Sequence, residues 1–249
     1  MKLILLTFLL TFIGFFCKAD IFSNLSELDR RLLQKEIRIY LLNHPEILVE
    51  ALKSLEEKNS ANNADLDKIL IQTNYEAIFE DNSSWQGGNL TGDITIVEFI
   101  DYRCGYCRKA HTEIIKLINS DKKLRIIIKE YPILGQESNI LSRLAVSVLQ
   151  LYGPKKYQMI HNEFMKNKIN LSESNIKNLL NSMDLDATKI LDQINSKEVT
   201  DHLNNTRNLG KKLKINGTPT FILEDTMIRG YVGLDYLTSE IRRIRQIDK

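Results

Sequence analysis

Three cysteines among 249 residues are too few for a secreted fold stapled by several long-range disulfides. Two of them, Cys104 and Cys107, are separated by two residues, and a bridge across so short a loop constrains the unfolded chain least. That spacing suits chemistry better than stapling. Excess charge is also lacking. Lys and Arg number 34 against 32 Asp and Glu, and no basic cluster or aromatic-basic strip occurs, so the positive field that draws nucleic acid is missing. No apolar run is long enough to span a bilayer: Leu3 to Phe16 covers 14 residues, where a spanning helix needs ~20. A second Cys-x-x-Cys is missing, so structural zinc would find Cys104, Cys107 and His111 but no fourth ligand. Arg108 stands where attachment of c-type haem requires histidine. Internal repeats and low-complexity tracts are absent, and neither a metal nor a dissociable cofactor is expected.

What is present begins with a basic start, the apolar run, and a short Cys17-Lys18-Ala19 end, the anatomy of a secretory signal peptide over residues 1–19. Its cleavage places the mature chain in an oxidising compartment, a bacterial periplasm reached through the inner membrane. It also removes Cys17 and two lysines but no acid, leaving equal numbers of basic and acidic residues. Cys104 and Cys107 can then pair only with each other.

From Ser26 to about Asn59 apolar residues recur at helical spacing: Leu33, Ile37, Tyr40 and Leu41, then Leu48, Ala51, Leu52 and Leu55. Asn43-His44-Pro45-Glu46 divides them into two amphipathic helices, with Pro45 suiting a first helical position and Glu46 the N-terminal dipole. Ala61-Asn62-Asn63 reads as a polar joint before a third helical stretch that puts Leu66, Ile69, Leu70, Thr73 and Ala77 on one face. This arm, residues 20–80, is too small to own a core. It must bury its stripe on the main domain or on another copy of the chain, and a homo-oligomer through residues 20–62 is expected.

The main domain, residues 81–249, opens with a Gly87-Gly88 turn and a β-branched, nearly apolar run, Ile94 to Ile100, that reads as a buried strand. The run leads directly into Asp101 to Cys107. His111, Ile114, Ile115 and Ile118 then have helical spacing, and Leu124 to Ile128 is a second buried strand. Residues 137–210 carry only helical patterns. Strand character returns at Thr220 to Leu223 and Met227 to Arg229, before a closing helix, Leu234 to Ile244. The pattern is an α/β fold, a split sheet with a helical insertion.

A Cys-x-x-Cys that leaves a buried strand and opens a helix places its first sulfur at the helix N-terminus, where unpaired N–H groups and the dipole favour a thiolate. Cys104 is therefore the candidate nucleophile, and Cys107, one turn later and more covered, the candidate resolving thiol. Glu98, a carboxylate inside an apolar strand, needs a partner or a proton to handle. It either takes the Cys107 proton or pairs with Lys129. His44, His161 and His202 stand alone among helical patterns and read as surface or packing residues. Pro219, in Gly217-Thr218-Pro219-Thr220 before a strand, means little by itself.

Together these elements carry a resemblance. Val97-Glu98-Phe99, Asp101-Tyr102, the Cys-Gly-Tyr-Cys element, the helical insertion and Gly-Thr-Pro-Thr resemble the DsbA-like branch of the thioredoxin superfamily over about residues 80–245. The resemblance implies a thioredoxin-like fold with a helical insertion and an N-terminal helical arm. It also implies dithiol-disulfide exchange in which Cys104 attacks, Cys107 resolves, Glu98 is the buried acid, Pro219 is a cis proline and Thr218 faces the sulfurs. Implied partners are unfolded or misoxidised exported proteins and a membrane-bound redox partner. The arm around Asn43-His44-Pro45-Glu46 resembles the extension of an oligomeric subset. Gly105-Tyr106 departs from the Pro-His of prototypical DsbA and also occurs in disulfide isomerases, so donation of disulfides and their isomerisation or reduction both stay open. A binding protein with a structural bridge is the non-enzymatic alternative.

Overall fold

The computed structural model describes residues 26–247, with side-chain surroundings for all of these except 54–62 and 247. The expected signal peptide and the first residues of the arm lie outside that range. The chain divides into two compact units between residues 59 and 60.

In the first unit, α1 (Glu27–Asn43) starts from a capping box: the Ser26 hydroxyl accepts from the Asp29 N–H while the Asp29 carboxylate accepts from Ser26. It stops at His44, and α2 (Glu46–Thr73) begins directly after Pro45, as the sequence predicts. No residue of α1 is buried. Leu28, Leu32, Leu33, Ile37, Tyr40, Leu48 and Leu52 are all exposed.

Two expectations for the arm require correction. Helix α2 runs through Ala61-Asn62-Asn63, because three polar or small residues without Gly or Pro do not break a helix. The expected face is also shifted. Ile69, Thr73 and Ala77 are exposed, while Asp67 and Ile71, with Ile78 and Phe79 of α3 (Tyr75–Phe79), are buried. Asp67 is held there by an ion pair with Arg229.

The second unit is built on a five-stranded sheet, β1 (Trp85–Gly88), β2 (Ile94–Ile100), β3 (Leu124–Glu130), β4 (Thr220–Leu223) and β5 (Thr226–Arg229), in the order β1-β3-β2-β4-β5. Strands β2 and β3 are parallel and the other pairings antiparallel. All seven residues of β2 are buried, which explains the unbroken apolar run: both faces are covered. Ile94, Ile96, Ile100, Ile126, Ile128, Phe221 and Leu223 belong to one core cluster. Val97, Phe99, Ile127 and Ile222 point the other way into a second, so the alternation is strict. Burial of each such side chain contributes about 1.5–3 kcal/mol.

The Gly87-Gly88 turn is the third correction. Both glycines lie in β1, paired with β3. The Trp85 ring folds over Gly87 so closely that a Cβ there would stand 2.2 Å from it, so Gly87 is needed for close approach rather than for turning. Helix α4 (Gly105–Ser120) connects the parallel strands. Between β3 and β4 lie α5 (Gln136–Tyr152), α6 (Pro154–Lys166), α7 (Glu173–Ser182), α8 (Ala187–Gln193) and α9 (Lys197–Lys212), and α10 (Leu234–Ile247) closes the described chain. This is the thioredoxin-like fold with a helical insertion that the sequence implies.

Candidate active site

The end of β2 and the start of α4 make the site. At the strand's end Asp101, fully buried, fixes the turn. Its carbonyl accepts from the Cys104 N–H at 3.1 Å, and one carboxylate oxygen accepts from the Arg103 N–H at 2.7 Å. The other oxygen accepts from the N–H groups of Ile133 and Leu134 at 2.8 and 2.9 Å, tying the cysteine turn to the loop after β3. Asp101 belongs to the motif that the sequence offers, but nothing local marks this clamp, whose partners on the far loop lie more than thirty positions away.

Cys104 is the N-cap of α4. Its sulfur stands where serine or aspartate usually caps and accepts from the Cys107 N–H at 3.4 Å. Both cysteines are buried free thiols. The Cys107 thiol hydrogen-bonds to the Cys104 sulfur and, with the Thr218 hydroxyl and the helix N–H groups, outweighs burial and brings Cys104 down from 9.0 to about 5. Cys107 moves the opposite way: burial, the Cys104 hydrogen bond and the nearby Glu98 hold it far above the ordinary thiol range. Two cysteines one helical turn apart are thus made chemically unlike. The arginines contribute little here, since Arg103 pairs with Glu137 and Arg108 donates to the Tyr102 carbonyl at 2.8 Å.

The loop before β4 approaches from across the sheet. The Thr218–Pro219 peptide is cis, and the Cys104 thiol donates to the Thr218 carbonyl at 3.1 Å. The Thr218 hydroxyl is buried with no conventional partner, which leaves it available to a thiolate. Glu98, on β2, is 2% exposed. Burial, then the negative charge on Cys104, raises it from 4.5 to about 8, and its Oε1 has no partner. Lys129, weighed as that partner, is on the opposite face of β3, where its ammonium donates to the Ala77 carbonyl at 2.9 Å and to Asp81 at 2.5 Å. The structure therefore brings Cys104, Cys107, Glu98, Thr218 and Pro219 into one site and leaves Lys129 out.

A second buried acid lies beyond what the sequence reading singles out. Glu130, at the end of β3, accepts from the hydroxyls of Tyr102 and Tyr157 at 2.6 Å each and Ser142 at 2.7 Å, and the Tyr102 hydroxyl also meets His161 Nδ1 at 3.0 Å. The charged Lys129-Glu130 pair closing an apolar strand is the signal that could have found it. Among the described residues no group of three or more His, Cys, Asp and Glu gathers as a metal site would require.

With this geometry established, the model of the DSBA-like thioredoxin domain matches residues 95–242. The chain belongs to that family. It is a thiol-disulfide oxidoreductase of the DsbA-like type, with a helical extension before the domain: residues 29–62 match the N-terminal domain of the copper resistance protein ScsC. Among solved structures, a thioredoxin-like oxidoreductase from Silicibacter pomeroyi is 33% identical over 69% of this chain and 97% of its own, with a TM-score of 0.63. The thiol-disulfide exchange protein alpha-DsbA2 from Wolbachia pipientis is 28% identical over 73% and 97%, with a TM-score of 0.67. Proteus mirabilis ScsC, in a transitional conformation, is 26% identical over 89% and 97%, with a TM-score of 0.64. No curated protein matches the chain.

Proposed function

We propose that this DsbA-like chain is an exported, periplasmic oxidoreductase that donates disulfides to exported proteins through Cys104 and Cys107. The observation that carries the reading is the opposed state of the two thiols: a Cys104 held near 5 by hydrogen bonds beside a Cys107 held protonated by burial. A stabilised Cys104 thiolate lowers the free energy of the reduced form and so makes the disulfide more oxidising. Export rests on the signal-like pattern of residues 1–19.

In the cycle a substrate thiolate attacks Cys104 Sγ of the disulfide, and Cys107 leaves and takes a proton by way of Glu98. A second substrate thiolate then attacks the substrate sulfur of the mixed disulfide, and Cys104 leaves as a thiolate. The substrate loses two electrons and the protein gains them, and a membrane-bound redox partner reoxidises the pair. Thr218 and Pro219 hold the substrate segment beside Cys104.

The test is oxidation of a reduced, unfolded secreted protein by the oxidised full-length chain. Cys104→Ser abolishes it, and Cys107→Ser, offered instead a substrate that already carries disulfides, accumulates mixed disulfides through Cys104; full activity of Cys104→Ser sinks the reading. A second reading, an oligomeric disulfide isomerase or reductase, is favoured by the uncovered apolar side chains of α1 and by the ScsC-type match over the arm. On this reading deletion of residues 20–62 converts an oligomer to a monomer in light scattering, and an unchanged association state contradicts it.

A further inference from the structure

Cys107 exchanges its proton in a place closed to solvent, and the proton therefore needs a route. Two buried polar atoms on the same side of the sheet have no protein hydrogen-bond partner: Glu98 Oε1 on β2 and His111 Nε2 on α4. Each such orphan carries an unrepaid desolvation cost, so two in one place call for an explanation. Both side chains line a single cavity of about 40 Å³, otherwise walled by five isoleucines, Trp85 and His161 and completed from α6 by Gln158 and Asn162. That exceeds the ~10–15 Å³ that a water molecule requires, and Glu98, His111, Gln158 and Asn162 supply polar partners in an otherwise apolar wall. Gln158 is exposed and Asn162 half-buried, so the α6 wall leads outward.

The groups facing His111 set its state. From α6, His161 stands 4.9 Å away, ring to ring, and is itself tied to Tyr102 and through it to Glu130. Glu98 faces the same cavity from β2. Burial and the positive Lys166, opposed by a side-chain hydrogen bond with Asn162, bring His111 from 6.5 down to about 4, so the imidazole is neutral at neutral pH.

We propose that His111 is a positioning residue for thiol-disulfide exchange: water held between its Nε2 and Glu98 Oε1 carries the Cys107 proton between Glu98 and the surface at Gln158 and Asn162. When a mixed disulfide is resolved, the Cys107 proton passes to the Glu98 carboxylate and the Cys107 thiolate attacks Cys104 Sγ. The Cys104–Cys107 bond forms as the bond from Cys104 to the substrate sulfur breaks, and the substrate leaves as a thiolate. The protein dithiol is oxidised and the substrate sulfur reduced, with no other electron donor or acceptor. Glu98 then releases its proton through the water at His111, and the departing thiolate takes one from bulk solvent. Disulfide donation uses the same route inward.

This inference rests on the oxidoreductase reading of Cys104 and Cys107, and the test separates the two. Reduced full-length protein is mixed with oxidised glutathione, quenched in acid, alkylated and weighed by mass spectrometry, which resolves formation of the Cys104 mixed disulfide from its resolution by Cys107. His111→Leu slows resolution by about 100-fold, the lower end of what proton-transfer assistance contributes, and leaves mixed-disulfide formation unchanged. His111→Gln, which can still hold water, recovers most of the rate. Glu98→Gln slows the same step, and combining it with His111→Leu adds no further loss. If His111→Leu does not fold, His111→Phe, a ring without a polar atom, replaces it. Wild-type resolution in the apolar variant, or losses that multiply in the double variant, overturns the proposal. Failure of the wild type to form any mixed disulfide overturns the oxidoreductase reading instead.

Discussion

Glu98 and Glu130 stand on neighbouring parallel strands and face the same side of the sheet, and both are almost wholly buried, at 2% and 1% exposure. Their surroundings differ. Glu130 is caged by three hydroxyls that favour its charge, and burial lifts it only to about 7. Glu98 has an unpaired oxygen, lies near two sulfurs, and rises to about 8. A buried acid with its acceptors satisfied fastens β3 to the insertion helices, whereas one left open is poised to exchange a proton. The contrast sets a carboxylate whose acceptors are satisfied apart from the one proposed to exchange the Cys107 proton.

Substitutions at the two sites should diverge accordingly. The largest effect belongs to Glu130→Leu, which leaves the Tyr102, Tyr157 and Ser142 hydroxyls buried without their acceptor and is expected to destabilise the protein by about 3–5 kcal/mol. The urea midpoint reads this, while alkylation of Cys104 in the folded fraction stays unchanged; a neutral substitution would break the comparison. Glu98→Gln acts in the opposite direction on stability. Because the folded-state value is raised from 4.5 to about 8, the reduced wild type loses stability relative to the variant as pH climbs through that window. The variant is expected to gain stability steadily as pH climbs from about 4.5 to about 8 and nothing below pH 4. A gain that grew on acidification would contradict the burial argument.

The smallest effects concern Cys104. Its alkylation rate should rise with pH to a plateau with a midpoint near 5, since its value is lowered from 9.0 to about 5, and a midpoint near the free-thiol value of ~8.5 would remove the basis for an activated thiolate. Thr218→Val should move that midpoint upward, by removing one of the donors to the sulfur. No movement would mean that Cys107 and the helix N–H groups suffice.

Much of the fold and site is legible in the chain because the decisive signals are local. The strand running into Cys-x-x-Cys and a helix occupies fourteen consecutive residues, Ile94 to Cys107, and each step follows from periodicity and capping. Gly-Thr-Pro-Thr is legible only through its resemblance, since the contact between Thr218 and Cys104 spans 114 positions. The Glu130 cage stays hidden for the same reason: its partners come from the turn after β2 and from two insertion helices. Lys129 suits Glu98 by charge and fails by side-chain direction. In the parallel register Glu98 pairs with Ile128, so Lys129 necessarily points to the other face. The Gly87-Gly88 strand is masked by glycine's turn preference, and only the Trp85 ring above it explains its place.

The central claim, that the opposed states of Cys104 and Cys107 make this chain a disulfide donor, is tested most directly by the reduction potential of the pair. Purified protein is equilibrated in glutathione buffers and its redox state read by alkylation. A disulfide donor has a couple well above ~-200 mV, towards the ~-120 mV of DsbA, and that is the result expected. A value at or below ~-200 mV, or no exchange with glutathione at all, would contradict the claim.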